Sequence, residues 1–283
     1  PSEPIEYRAR MFVVASGYAW SSHLLLLSAS SRFPNGLANS SGLVGKYMAG
    51  HAFIQTQIEL DAEIYPGMNE QHSLISRQFF RRDPAAKTYV RHDLRVWESP
   101  VNRQPRLRDD TGRLLLGDAL MADWRARTTR ATARIRAYYD VHPDRASELT
   151  LDPSSKNMYG DARPRIVHRP DAATLARREA TVEHVRGVFE RLARHQNGAM
   201  RPLDIGDYWD HPAGGCRMGT DPAASVTDSY GRTHDHENLF VVGSPTLPTA
   251  GCTNGTLTFA ALTLRSADHI AQTLGGARTE ARR

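Results

Sequence analysis

Cysteine is nearly missing from this chain. Its two copies among 283 residues, Cys216 and Cys252, form no CxxC pair, which excludes a disulfide scaffold and a cysteine-rich zinc module. Both read as small buried residues. Lysine is as scarce, three residues against 33 arginines, a bias of composition rather than of chemistry. No apolar run approaches the roughly 20 residues a bilayer helix needs. With a mean hydropathy of -0.51, no membrane span is expected. The Gly45-Lys46 pair lacks the rest of a phosphate-binding loop: position 40 is Ser where that loop needs Gly, and Tyr47 stands where it needs Ser or Thr.

What is present is the composition of a globular protein, 40% hydrophobic and 24% charged, with chain enough to bury a core. The net charge is +5, from 36 basic and 31 acidic residues, yet residues 201–270 hold four Arg against eight Asp or Glu. Positive charge is not gathered into the face that nucleic acid requires, so no nucleic-acid partner is expected. The chain opens on Pro-Ser-Glu-Pro with neither an initiator Met nor a charged leader and runs at once into a strand. It reads as starting in mid-fold, either as a fragment or as one product of processing.

Residues 8–17 read as a short strand ending in small residues, followed by a helix over 20–29. The Gly-, Ser- and Asn-rich stretch 34–50 predicts a loop with a short helix after it. From Ala52 to Tyr65 apolar and polar residues alternate, the mark of a strand with one wet face. Further strands are expected at 78–80, 148–151 and 164–168, the last two paired antiparallel through a turn-rich segment. Helical patterns cover about 117–140 and, with Asp171 as cap, 171–196. Toward the end, 238–243 is a short buried strand and 257–273 a helix. Between them lies a loop rich in Gly, Pro and Thr at a strand's carboxyl end, where open α/β sheets bind ligands.

Two segments carry the candidate chemistry. The first is His211-Pro-Ala-Gly-Gly-Cys-Arg-Met-Gly219; the second runs from Gly243 through Asn254 to Leu257. Each residue has a plainer reading. A His before Pro in a Gly-rich loop is commonly a turn residue, and Asn254 ahead of a helix suits an N-cap. Arg217 reads as an ion-pair partner within its loop. His234 and His236 form an HxH pair, but Asp235 and Glu237 make it a charged turn, and no metal site is expected.

Together the two segments resemble the carboxyl-terminal half of the glucose-methanol-choline (GMC) family of flavin-dependent alcohol oxidoreductases. In that family a His precedes Cys-Arg-Met-Gly and a His or Asn opens the last helix. Upstream, RMFVVASG with its following apolar helix and NSSGLVGKYMAGH resemble the family's middle region. The resemblance implies an α/β fold, α+β overall. Residues 1–50 would be part of a doubly wound FAD-binding domain, 51–203 an antiparallel-sheet substrate-binding domain with helices, and 204–283 the return to the FAD-binding domain carrying the catalytic residues. No GxGxxG unit with a downstream acidic residue occurs in residues 1–283. The amino-terminal unit that holds the FAD pyrophosphate in the family is thus absent from this chain, and a missing half or a separate chain is expected to complete the site.

By the same resemblance His211 is the proton acceptor and Asn254 the residue that holds the substrate oxygen while hydride passes to flavin N5. Ser16 and Gly17 would lie near FAD, Gly243 and Ser244 near its ribityl chain, and the backbone N–H groups of Gly255 and Thr256 near the pyrimidine edge of the ring. The implied reaction is oxidation of a CH–OH group of a sugar, glycoside or polyol, with an electron-transfer partner as one possible acceptor of the electrons. A chain without its nucleotide-binding half also fits a non-catalytic binding or assembly subunit, or a carbohydrate-binding module without redox activity. The sequence leaves the compartment open between cytoplasm and periplasm.

Overall fold

The computed structural model describes residues 5–59, 74–80, 91–99, 105–128, 132–195 and 197–280. In chain order its elements are β1 (Phe12–Val14), α1 (Tyr18–Leu27), β2 (Ala49–Glu59), β3 (Leu74–Ser76), β4 (His92–Ser99), α2 (Gly117–Thr128) and β5 (Thr132–Asp140). Then follow β6 (Glu148–Lys156), β7 (Ala162–Val167), α3 (Ala172–His195), β8 (Ala199–Met200), β9 (Asp204–Ala213), β10 (Leu239–Val241), a 3-10 turn at Ser244–Thr246, and α4 (Thr256–Glu280). Helix and sheet are mixed throughout. Two compact units divide the chain: Pro1–His51, Asp140–Thr174 and Trp209–Arg283 form the first, Ala52–Tyr139 and Leu175–Tyr208 the second.

In the first unit β1 and β10 pair in parallel, with Val14 opposite Val241 at the carboxyl ends of both strands. Their β-branched and aromatic residues suit a sheet, and all three residues of β10 are buried. The antiparallel β6–β7 hairpin shifts register between Asp152 and Lys156, where Pro153 has no N–H to give the ladder. Helix α1 lies against it, and His23 Nε2 donates to the Ala162 carbonyl at 2.7 Å. Leu25 of α1 meets Leu43, Val44, Cys216, Val226, Leu239 and Val241 in the main core. A smaller cluster joins Ala213, Leu247 and Ala250, with Phe259 and Leu262 of α4 packed on it.

The second unit is built on a six-stranded sheet in the order β3-β4-β5-β2-β8, with β9 also paired to β2. The β3–β4, β4–β5 and β2–β8 pairs are antiparallel. Along β2, Ile54, Thr56 and Ile58 are buried while Gln55, Gln57 and Glu59 are progressively exposed, the alternation expected of a half-buried strand. Val182, Val185, Phe189 and Ala193 of α3 are buried at three- and four-residue spacing. The imidazole of His184 meets the ring of His92 on β4 edge-on, 5.3 Å between centroids. The start of α3 is capped as expected: the Thr174 N–H donates to Asp171 Oδ1 at 2.6 Å.

Three expectations are corrected. The short helix after residues 34–50 is not there. Positive φ at Gly42, Gly45 and Tyr47 breaks any helical path, and the chain enters β2 at Ala49. Residues 78–80 form a turn rather than a strand; the strand is β3, and Phe79 stacks on His92 with centroids 4.9 Å apart. The helix over 117–140 ends at Thr128, because Ala133, Ile135, Ala137 and Tyr139 bury one face of β5 at a period of two. The final helix, by contrast, runs past 273 to Glu280. The portion of the expected strand beyond Glu59 lies outside the described residues.

Candidate active site

Within the first unit, backbone hydrogen bonds lace the segment after His211 to two other loops. On one side the Gly45 N–H donates to the Gly215 carbonyl at 2.7 Å and the Gly215 N–H to that of Lys46 at 3.1 Å. On the other, Gly214, Cys216 and Met218 donate to the carbonyls of Ser244, Pro245 and Thr246 at 3.2, 3.0 and 2.8 Å. Such close lacing requires the Gly-Gly pair. A Cβ on Gly214 would stand 2.1 Å from the Tyr47 carbonyl oxygen, and one on Gly215 2.4 Å from Ser22 Oγ. The loop leading to His51, the segment that follows His211 at the end of β9 and the loop leading to Asn254 are thereby fixed side by side.

The side chains converge accordingly. Asn254 Nδ2 lies 2.7 Å from His211 Nε2, and His211 Nδ1 lies 2.8 Å from His51 Nε2. The two imidazoles are tilted by 47° with centroids 4.7 Å apart. His51, on β2, is wholly buried, His211 is half-buried, and Asn254 is exposed. A polar file thus runs from solvent inward. His211 sits at φ 47, a region unusual for a non-glycine residue and stored most often at functional sites. Asn254 does not cap α4. The Phe259 N–H bonds the carbonyl of Gly255, so Gly255 is the cap, and the Asn254 amide is released to reach His211.

The remaining predicted residues fall into two groups. At the carboxyl ends of β1 and β10, Ser16 and Gly17 follow Val14, while Gly243 and Ser244 follow Val241; the Val242 N–H donates to the Val14 carbonyl at 3.0 Å. Gly17 (φ 80, ψ -172) and Gly243 (φ 93, ψ -158) adopt the same rare conformation, one essentially confined to glycine. The space where a Gly17 Cβ would stand is open to 4 Å. Just beyond, Tyr18 Oη and Ser21 Oγ are buried without a hydrogen-bond partner among the described residues, and burial pushes the Tyr18 phenol up. Gly255 and Thr256 open α4, where backbone N–H groups have no intrahelical acceptor.

The other singled-out residues are accounted for locally. Both cysteines are buried and neither is in a disulfide. Burial pushes the Cys216 thiol up to about 12, and its sulfur lies 3.5 Å from Ser22 Oγ. His234 Nε2 is 2.8 Å from Ser225 Oγ, and Asp235 accepts from the Ser40 N–H at 2.9 Å. Arg217 corrects its expectation: its Nε donates to the Ala224 carbonyl and its guanidinium lies over the Tyr47 ring, 3.5 Å from the centroid, and among the described residues it pairs with no carboxylate. His51 was not predicted. Its signal in the sequence is its place as the last residue of the NSSGLVGKYMAGH stretch, closing the Gly-rich loop and opening the β2 run.

Residues 143–263 match the family described as GMC oxidoreductase. The chain is 32% identical to the fructose dehydrogenase large subunit of Gluconobacter japonicus over 93% of its own length and 47% of that protein. It is 30% identical to paromamine 6'-oxidase of Streptomyces fradiae over 93% of this chain and 46% of that one. The likeness to GMC oxidoreductases is carried by residues 143–263. It is also 27% identical to 2-methyl-1,2-propanediol dehydrogenase of Mycolicibacterium austroafricanum, over 94% of this chain and 49% of that protein. A crystal structure of pyridoxine 4-oxidase from Mesorbium loti shares the fold, with a TM-score of 0.58 at 17% identity, over 92% of this chain and 51% of that one. The chain spans about half the length of the curated relatives it matches. Among its described residues no helix is long and apolar enough to cross a membrane.

Proposed function

We propose that this chain contributes the base-bearing half of an FAD-dependent enzyme that oxidises a CH–OH group of a sugar, glycoside or polyol. The observation that carries this reading is the opposed pair of Asn254 Nδ2 and His211 Nε2, an amide donor 2.7 Å from an imidazole acceptor. A substrate hydroxyl that displaces this bond takes a hydrogen bond from the amide on its oxygen and gives its proton to Nε2. Asn254 orients the carbinol and stabilises the oxygen as charge builds; His211 accepts the proton, a task imidazole performs near neutral pH. When bound, FAD supplies the two-electron acceptor for the hydride leaving the carbinol carbon.

The residues at the ends of β1 and β10 fit such a group. Parallel strands end in a crevice suited to ligands, the twin glycines let it approach the backbone, and the two orphaned hydroxyls of α1 offer polar atoms nearby. Ser16, Gly17, Gly243 and Ser244 would hold the nucleotide side and ribityl chain, with the N–H groups of Gly255 and Thr256 toward the ring edge. The rest of a doubly wound FAD domain would come from outside residues 1–283. Support for that partner lies in Trp20 and Leu24 of α1, which are 58% and 46% exposed, and in the two-strand parallel sheet, an architecture that is normally covered on both faces.

In the second unit a cleft of about 330 Å³ is lined by Gln55, Gln57, Arg134, Arg201 and Asp204, donors and acceptors of the kind hydroxyls use. It supports a substrate-binding role for that unit. The names of the fructose dehydrogenase and paromamine oxidase relatives favour a sugar or glycoside, and "large subunit" favours assembly with a further subunit, for which we propose electron transfer. The test is the visible spectrum of the complete protein before and after anaerobic addition of fructose, a glucoside and sorbitol. Flavin bands bleached by one of them support the reading. A folded complete protein without flavin bands refutes it and leaves a binding or assembly subunit.

A further inference from the structure

His51 is the buried member of the file Asn254, His211, His51, and the hydrogen-bonding capacities along it fix its part. The amide nitrogen of Asn254 only donates, so His211 Nε2 accepts. In the neutral ring the proton of His211 is then on Nδ1 and is donated to His51 Nε2, 2.8 Å away. His51 in turn carries its own proton on Nδ1.

We infer that His51 is a positioning residue, which holds His211 in the Nδ1–H tautomer so that the Nε2 lone pair faces Asn254 and the incoming hydroxyl. Which imidazole nitrogen carries the proton is decided by the bond the other nitrogen makes. His51 supplies that bond from a wholly buried site on β2, where water does not compete. It also turns the ring: the tilted packing of the two imidazoles and the Nδ1–H bond together fix the plane in which Nε2 points. When His211 gains the substrate proton on Nε2, its Nδ1–H bond to the neutral His51 becomes charge-assisted and stronger, which stabilises the product of the transfer. No net proton moves to His51 in this step. The inference rests on the reading of His211 as proton acceptor.

The test replaces His51 with residues of nearly equal length, one with an acceptor and one without: His51→Gln and His51→Met. In the complete FAD-bound protein labelled with 15N-histidine, long-range 1H–15N spectra report the tautomer of His211, assigned by its loss in His211→Ala. Stopped-flow flavin reduction with fructose, a glucoside or sorbitol reports the reductive rate constant and its half-saturation. Wild type and His51→Gln should show a protonated Nδ1 and a bare Nε2. In His51→Met, His211 should populate both tautomers and the reductive rate constant should fall by ~10²-fold, the size of an acid–base contribution, with half-saturation changed by less than about threefold. A wild-type His211 protonated on Nε2 overturns the inference, as does an unchanged tautomer and rate in His51→Met. Should His51→Met not fold, the wild-type and His51→Gln spectra still decide. If no sugar or polyol reduces the flavin while the tautomer follows position 51 as stated, the proposed reaction fails and the role of His51 stands; a sugar-reduced flavin with a tautomer indifferent to position 51 gives the reverse.

Discussion

Replacing Gly214 by Ala asks whether the close lacing of the His211 loop is what holds the site together. The variant has a matched control in the same unit: Gly160, at φ 92 in the turn between β6 and β7, has the backbone of Gly214 (φ 87) but open space where a Cβ would stand. An L residue in that region costs ~1–2 kcal/mol at either position. Gly214→Ala must also push its methyl away from the Tyr47 carbonyl oxygen, 2.1 Å distant and fixed in the backbone, which adds ~1–3 kcal/mol of overpacking strain. With a denaturant slope of ~2 kcal/mol per molar urea, the midpoint of the complete protein should fall by ~0.5–1 M for Gly160→Ala and by ~1–2.5 M for Gly214→Ala. Activity separates them further. Gly214 lies three residues from His211, and a displacement of about 1 Å at a reacting group costs ~10²-fold in rate, whereas Gly160→Ala should turn over normally. Equal midpoints and equal rates for the two variants would refute the lacing as the cause of the site's geometry.

On the proposed roles, His211→Ala should lower turnover by ~10²-fold or more, checked by steady-state kinetics at neutral pH, while Asn254→Ala should slow flavin reduction with FAD still bound. On the proposed cofactor site, Gly17→Val and Gly243→Val should shed FAD on gel filtration, read as the ratio of flavin to protein absorbance, because a β-branched residue cannot take that backbone and its side chain would fill the proposed approach to FAD. Burial pulls the His168 imidazole down to about 4 from the usual 6.5. The unfolded chain therefore binds a proton that the folded one refuses: stability from this group is full above pH 6.5, declines as pH falls toward 4, and changes no further below. His168→Gln should flatten that decline in urea midpoints measured across the range.

Where periodicity and local chemistry agree, the fold is legible in the residues. Asp171 followed by apolar positions at helical spacing yields α3 with its cap, and the alternation from Ala52 onward yields β2. Beta strand β5 is less legible because Thr132–Asp140 follows a genuine helix after three residues, and its Arg and Ala positions mimic a helical face until partners on β4 are known. The pairing of His211 with Asn254, 43 residues apart, follows from motif likeness; no local rule draws them together. His51 is invisible for the same reason in stronger form. It is 160 residues from His211, and the pairing of β2 with β9, together with the backbone bonds of Gly215 to residues 45 and 46, brings it into reach.

Those separations bear on how the protein acquires its activity. A helix such as α3 closes on itself within 24 residues, and the β6–β7 hairpin pairs neighbours, so both can form early. The file of Asn254, His211 and His51 draws on three stretches that meet only after long loops close, and such contacts lower the free energy only late in folding. In refolding experiments, helical circular dichroism should therefore return well before catalytic competence. A nascent protein caught in that interval has most of its secondary structure and has not yet brought Asn254, His211 and His51 together.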